Sequence, residues 1–257
     1  MAAELGDKKT ERSRYDARAE RQLNLGLKEG THNFGIQKFS VYLRPPYLYF
    51  ESFLRKELNA THKVLEIGAG SGQYTLVLAG TGAAVVATDI SEKSLELLER
   101  RYKSREDISI ETKAADMESL PFADESFDFI VCAGSLSYGD NKIVLEAVYK
   151  KLKPGGSFVC VDSLDNNYIY RANRFFHYLL KRRTYSTLKN MPNLRLIEMY
   201  KRKFSKTEVH FFGALVWLAP VLKVFLSDER VSNLLRKFDK IFSVRGSAFK
   251  FVMVCRK

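Results

Sequence analysis

The sequence predicts an α/β fold: a parallel sheet with helices on both faces and a helical cap inserted near the C-terminus. Three observations predict it. Short apolar runs alternate with helical patterns between residues 63 and 161. The first run, Lys-Val-Leu-Glu at 63–66, is followed by glycines at 68, 70 and 72. A long basic and aromatic stretch then separates this alternation from a last apolar run, Ala248–Cys255.

Met1–Arg21 carries alternating charges and reads as helical or frayed. Asn24–Phe39 is Gly-rich and irregular, and Ser40–Leu58 is aromatic and amphipathic. A helix is expected over Pro46–Leu58, because proline suits a first helical turn, where its missing N–H costs nothing. Lys63–Glu66 is the first strand, and Ala83–Thr88 is the second, ending in Asp89. Ser91 can cap a helix over Ser91–Tyr102 with Leu95 and Leu98 inward. Strands follow at Ile108–Ala114, Phe129–Ala133 and Ser157–Val161. Asp140 starts the helix between the last two, and Pro154-Gly155-Gly156 stops it. Helices over Tyr168–Arg183, Pro192–Lys203 and Asp228–Phe242, and strands over Thr207–Phe212 and Ala248–Cys255, complete the chain. Gly213–Leu226 is strongly apolar but too short, and too interrupted by Pro220, to span a bilayer. It is expected as a buried cap helix, with contact to a membrane surface as the alternative.

The glycine turn carries the chemistry. A strand that stops in glycines and hands over to a helix lets a ligand lie against bare backbone. The spacing is G-x-G-x-G, and no Lys-Ser/Thr follows, which excludes a P-loop. Glu66 would repel a pyrophosphate and suits a ligand with positive charge or hydrogen-bond donors. Asp89, about twenty residues on, can accept both hydroxyls of a ribose. Together with Asp116-Met117, the Gly134–Tyr138 segment and the Pro-Gly-Gly stop, this order of motifs resembles the class I S-adenosylmethionine (SAM)-dependent methyltransferases. The resemblance is close over residues 62–162.

That resemblance implies a Rossmann-like, seven-stranded methyltransferase sheet with helices on both faces, whose seventh strand is antiparallel. It implies SAM as cofactor, bound by Glu66, Gly68, Ala69, Gly70, Gly72, Asp89, Ile90, Asp116, Met117, Ala133 and Gly134. The acid at Asp116 would take the adenine amino group, and Met117 would pack on the ring. On the acceptor side stand Tyr138 and Ser137 at the lip of strand four. His32, in a segment of the kind that folds over the site, and Asp162, at the end of strand five, are the alternatives for a base. Four segments are expected: a lid or cap at 1–60, the SAM-binding core at 61–162, a basic aromatic cap with strand six at 163–246, and the final strand at 247–257.

Net charge is +12, distributed as +3 over residues 1–60, −4 over 61–161 and +13 over 162–257. A basic segment beside an acidic core favours an anionic partner. Arg171 and Arg174 are the expected substrate contacts. Cys132, Cys160 and Cys255 lie in apolar runs, which fits buried thiols in a reducing, cytoplasmic setting. The histidines 32, 62, 177 and 210 have no metal-ligand spacing around them, so no metal is expected. The first thirty residues lack the apolar core of a signal peptide.

The expected reaction is methyl transfer to a small, anionic or carrier-linked acceptor such as a sugar hydroxyl or amine. The Tyr168–Arg183 stretch loosely resembles methyltransferases of surface-polysaccharide biosynthesis. Pro45-Pro46-Tyr47 resembles the catalytic tetrapeptide of enzymes that methylate nucleic-acid amino groups, but Arg44 replaces its first residue and it precedes the glycine turn. No RNA-binding module is recognisable, so no nucleic-acid partner is expected. A non-catalytic SAM-binding module, or an RNA, protein or lipid-soluble acceptor, is the alternative.

Overall fold

Alternating side chains along each strand decide how the sheet is covered. In a computed structural model, which describes residues 2–25, 36, 39–241 and 245–257, β1 (Lys63–Ile67) sends Leu65 and Ile67 to one face and Val64 to the other. Both faces are buried, as a parallel strand under helices on each side requires. The seven strands run in the order β3-β2-β1-β4-β5-β7-β6. They are β2 (Ala84–Asp89), β3 (Ile110–Ala114), β4 (Phe127–Ala133), β5 (Leu152–Ser163), β6 (Lys206–Phe212) and β7 (Lys250–Arg256). The first five pair in parallel, and β7 is antiparallel to both β5 and β6. The Rossmann-like seven-stranded arrangement is thus the observed one.

One face carries α2 (Pro45–Glu57) and α3 (Thr75–Ala79), with Tyr47, Phe50, Leu54 and Leu78 packed on Val64, Val131, Val159 and Val252. Pro45 occupies the first helical turn of α2, the role expected of the Pro-Pro pair. The other face carries α5 (Asn141–Lys151) and α8 (Leu194–Lys203). Ser91 caps α4 (Glu92–Tyr102) by accepting from Ser94 N–H, and Asp140 caps α5 in the same way. The three cysteines are buried and unpaired.

Several boundaries differ from expectation. β1 continues one residue past Glu66. Pro154-Gly155-Gly156 does not stop a helix. α5 already ends at Lys151, and the triplet lies inside β5, where the pairing with β4 shifts between Phe127 and Phe129. Proline and glycine here make an irregularity in the strand. α6 (Tyr168–Leu179) ends four residues before Arg183, and Lys181 takes the left-handed φ of 55° that closes a helix. Gly213–Leu226 is not a buried cap helix. After the short α7 (Tyr185–Lys189) and α8, it forms a 3₁₀ turn at Val216–Leu218 and a four-residue α9 (Ala219–Leu222). Val216 and Ala219 pack on Val231 and Leu235 of α10 (Asp228–Ile241), while Val221, Val224 and Phe225 face solvent. Pro220 near its start and so few residues leave α9 one buried side only.

Candidate functional site

The carboxyl ends of β1, β2 and β4 open into one cavity of about 390 Å³. Ten of the residues expected at a cofactor site line it: Glu66, Gly68, Ala69, Gly70, Asp89, Ile90, Asp116, Met117, Ala133 and Gly134. Each is placed by backbone geometry. Gly68 has φ 67°, and a Cβ there would meet Ser135 Oγ at 2.4 Å, so only glycine lets the turn approach β4. Gly70 N–H and Ser91 N–H each donate to one oxygen of Asp89, at 2.8 Å. This clamps the carboxylate and leaves lone pairs for a ligand. Glu66 is buried, accepts a 2.5 Å hydrogen bond from Thr75, and is pushed up to about 7 by burial. Burial also raises Asp89.

Gly72 belongs elsewhere. Its φ of 86° turns it towards α4, where a Cβ would meet Leu98 at 2.8 Å, and its carbonyl accepts from Tyr102. It fastens the turn to α4 and does not line the cavity.

The opposite wall is α1 (Ala2–Asn24), part of the segment expected as a lid or cap, although none of its residues was expected at the site. Lys8, Glu11, Tyr15, Arg18, Ala19 and Gln22 line the cavity. On one side α1 is tied to α4 by Arg12–Glu92, Asp16–Ser91 and Gln22–Arg101. On the other, Asp7 accepts from Ser186 N–H, Glu11 accepts from Thr184, and Arg14 donates to the carbonyl of Arg182. Lys8 bridges Asp116 and Glu118 at 2.7 Å each. The helix therefore straps the cavity mainly with polar contacts, with Ala19 buried and the Tyr15 ring edge-on against Tyr138. A polar helix without an apolar stripe leaves no periodic trace in the sequence; only its spread of acids and bases hints at partners elsewhere.

Tyr138 stands at the cavity rim. Its hydroxyl accepts from Tyr15 at 2.6 Å, and burial raises both phenols. Beyond this pair lies a second cleft of about 560 Å³, lined by Glu11, Arg14, Tyr15, Ala17, Arg18, Arg21, Tyr138, Arg182, Arg183 and Thr187. Arg14 is engaged with Glu11. Among the described residues, the guanidiniums of Arg18, Arg21, Arg182 and Arg183 make no hydrogen bond or ion pair.

The acceptor-side expectations fare differently. Asp162 is buried away from both spaces, and its oxygens accept from Leu136 N–H and Ser163 N–H. It holds the lip of β4 in place, and burial raises its pKa. Ser137 is buried and lines neither space. Arg171 and Arg174 both turn to Asp165, at 3.5 and 2.8 Å, and Arg174 also donates to the Leu164 carbonyl. They anchor α6, and the unengaged arginines lie at 182–183 and on α1. His32 lies outside the described residues.

Residues 65–160 match the model of a family described as a methyltransferase domain. The demethylmenaquinone methyltransferase of Clavibacter sepedonicus is 38% identical over 105 residues, which are 39% of this chain and 40% of that protein. The chain spans between 35% and 50% of the length of such curated relatives. Among solved structures, a chain of the Haloferax volcanii complex that contains the Trm112 methyltransferase activator matches 94% of this chain and 96% of its own length, at TM-score 0.60 and 18% identity. The geranyl diphosphate C-methyltransferase of Streptomyces coelicolor matches 82% of this chain and 79% of its own length, at TM-score 0.57 and 13% identity. At such identities these two likenesses speak for the fold.

Proposed function

From a core that is a class I SAM-dependent methyltransferase domain, we propose that the whole chain transfers the methyl group of SAM to a small anionic acceptor held in the arginine cleft. One observation carries the reading. The cavity lined by ten cofactor-type residues opens, past Tyr15 and Tyr138, into a cleft with four unengaged guanidiniums.

The residues fit the cofactor. Asp89 keeps lone pairs free beside its two backbone donors, as a ribose diol requires. Gly70 and Gly134 offer bare backbone, with nothing within 4 Å of where a Cβ would stand. Asp116 would take the adenine amino group, with Met117 against the ring. Glu66 would be held ionised by a cationic ligand. Bound SAM supplies an electrophilic methyl group on a sulfonium.

The chain's own part is positioning and proton management. Tyr15 donates to Tyr138, which leaves the Tyr138 proton for the acceptor. Both phenols stay protonated at neutral pH, so they orient the acceptor and do not deprotonate it. Glu11 lines both spaces and is the carboxylate that would receive a hydroxyl's proton. The arginines would hold a phosphate or carboxylate through charge-assisted hydrogen bonds. A sugar hydroxyl or amine on such a carrier is the favoured acceptor. The name of the Clavibacter relative points to a quinone ring instead. A neutral quinone would leave the four guanidiniums without partners, which favours the anion.

The test is transfer of label from methyl-labelled SAM to a panel of nucleotide sugars, phosphorylated amines and demethylated quinones. Label should enter an anionic acceptor. Arg182→Ala and Arg183→Ala should each raise its KM by about tenfold, with SAM affinity unchanged. SAM binding without transfer to any acceptor would make the chain a binding module and overturn the proposal.

A further inference from the structure

Helix α6 is built inside out. An amphipathic helix ordinarily turns its apolar stripe to the core and its charges to water. Here the buried pair, spaced i and i+4, is Tyr170 and Arg174. The apolar stripe of Tyr168, Ile169, Phe175, Phe176, Leu179 and Leu180 faces solvent, with Tyr168 at 82%, Phe176 at 57% and Leu179 at 60% exposure. The orientation is fixed from inside. Arg174 is locked to Asp165 and the Leu164 carbonyl, and Tyr170 donates to the Gly213 carbonyl. That last contact ties α6 to the segment leading into α9, whose end exposes Val221, Val224 and Phe225, the last at 80%. Most of the large apolar side chains that the described protein exposes are gathered in these two stretches. Scattered exposed apolar residues mean little; a gathered stripe marks a binding surface.

Charge identifies what it binds. Between Asp165 and Glu198 the chain has no acidic residue, but it carries Arg171, Arg174, Lys181, Arg182, Arg183, Lys189 and Arg195. Lys181 and Arg182 follow the stripe directly and are exposed. Aromatic and leucine side chains flanked by bases, with no acids, match the interface of an anionic bilayer, where rings enter the headgroup layer and the bases meet lipid phosphates. A second copy of this chain would bring the same positive charge to the contact. No described helix is long and apolar enough to cross a membrane, so this is a surface attachment.

We propose that the exposed stripe of α6, with its following Lys181-Arg182 turn, docks the protein on an anionic lipid surface. Arg182 and Arg183 line the arginine cleft, so docking sets the cleft mouth beside the headgroups. The proposal stands independently of the methyl-transfer reading.

The experiment is vesicle flotation of the full chain with pure phosphatidylcholine and with phosphatidylcholine containing about one third phosphatidylglycerol. The protein should float with the anionic vesicles, stay down with the neutral ones, and be released as salt rises. Phe175→Ser combined with Phe176→Ser should cut the floated fraction by about tenfold. Unchanged SAM binding by that variant would show that it is folded. Absence of flotation with anionic vesicles, or equal flotation of the double variant, overturns the proposal. So does a concentration-dependent dimer that the double variant loses, which would assign the face to a second copy.

Discussion

The cavity has two walls of different construction. The sheet wall is backbone and buried carboxylate: Gly68 and Gly70 in left-handed conformations, and Asp89 and Glu66 fastened by N–H groups and a threonine. The helix wall is α1, which buries few apolar side chains and rests on ion pairs and hydrogen bonds to α4, α7 and Asp116. Hydrogen-bonded groups in a packed core are costly to disturb, whereas exposed ion pairs contribute little each. The sheet wall is thus the fixed half of the site. The helix wall is expected to be the half that yields to admit a ligand. Changes to the first should act on stability and intrinsic affinity, and changes to the second on access.

The largest effect is expected at Gly68. Gly68→Ala combines a φ of 67° with a Cβ 2.4 Å from Ser135 Oγ. It should cost about 2–4 kcal/mol of stability and remove SAM binding. Denaturant melts and calorimetry check both; a variant of ordinary stability and affinity would show that the turn is not rigid. Next comes Asp89→Ala, which should weaken SAM binding by about 1.5–3 kcal/mol, as for a charged hydrogen bond. Unchanged affinity would take Asp89 out of the site.

The sheet wall was legible in the sequence for the same reason that it is rigid. Its determinants are local: glycines two apart, an acid at a strand end, a serine before a helix. α1 was legible as part of a lid or cap but not residue by residue, because its partners lie far along the chain. Asp16 meets Ser91 across 75 positions, and Asp7 meets Ser186 across 179. Gly72 was misassigned because spacing gives nearness without direction, and its φ turns it to α4. Arg171 and Arg174 were misassigned because net charge does not reveal that Asp165 already engages them. The boundary at Pro154 failed because a bulged strand and a helix stop use the same residues.

A smaller effect separates the walls by pH. Burial raises Glu66 to about 7, from an ordinary carboxylate value near 4.5. The folded protein therefore binds more protons than the unfolded chain between those values, so this group's contribution to stability falls as pH rises through that window and levels off above about 7. A cationic ligand favours the ionised form, so SAM binding should release a proton within the same window. Its affinity should strengthen as pH rises towards about 7 and then flatten. Calorimetry in buffers of different ionisation enthalpy measures that proton, and Glu66→Gln should abolish it. A pH-independent affinity in the wild type would place the ligand's charge away from this wall.

The smallest effect is at Lys8, and it tests the helix wall directly. Lys8 pairs with both Asp116 and Glu118, and all three side chains are partly exposed. Lys8→Ala should change the denaturation midpoint little, by about 0–1 kcal/mol of stability. Its consequence should be kinetic: α1 opens more often, so amide exchange in residues 6–24 accelerates and SAM both enters and leaves faster. The wild type should show the same acceleration on raising salt, since these exposed pairs are screened. The variant should respond less, having already lost two of its ties. If instead Lys8→Ala lowers stability by several kcal/mol and leaves exchange in α1 unchanged relative to the core, the helix belongs to the folded core like α2. The distinction between a fixed and a movable wall would then fall.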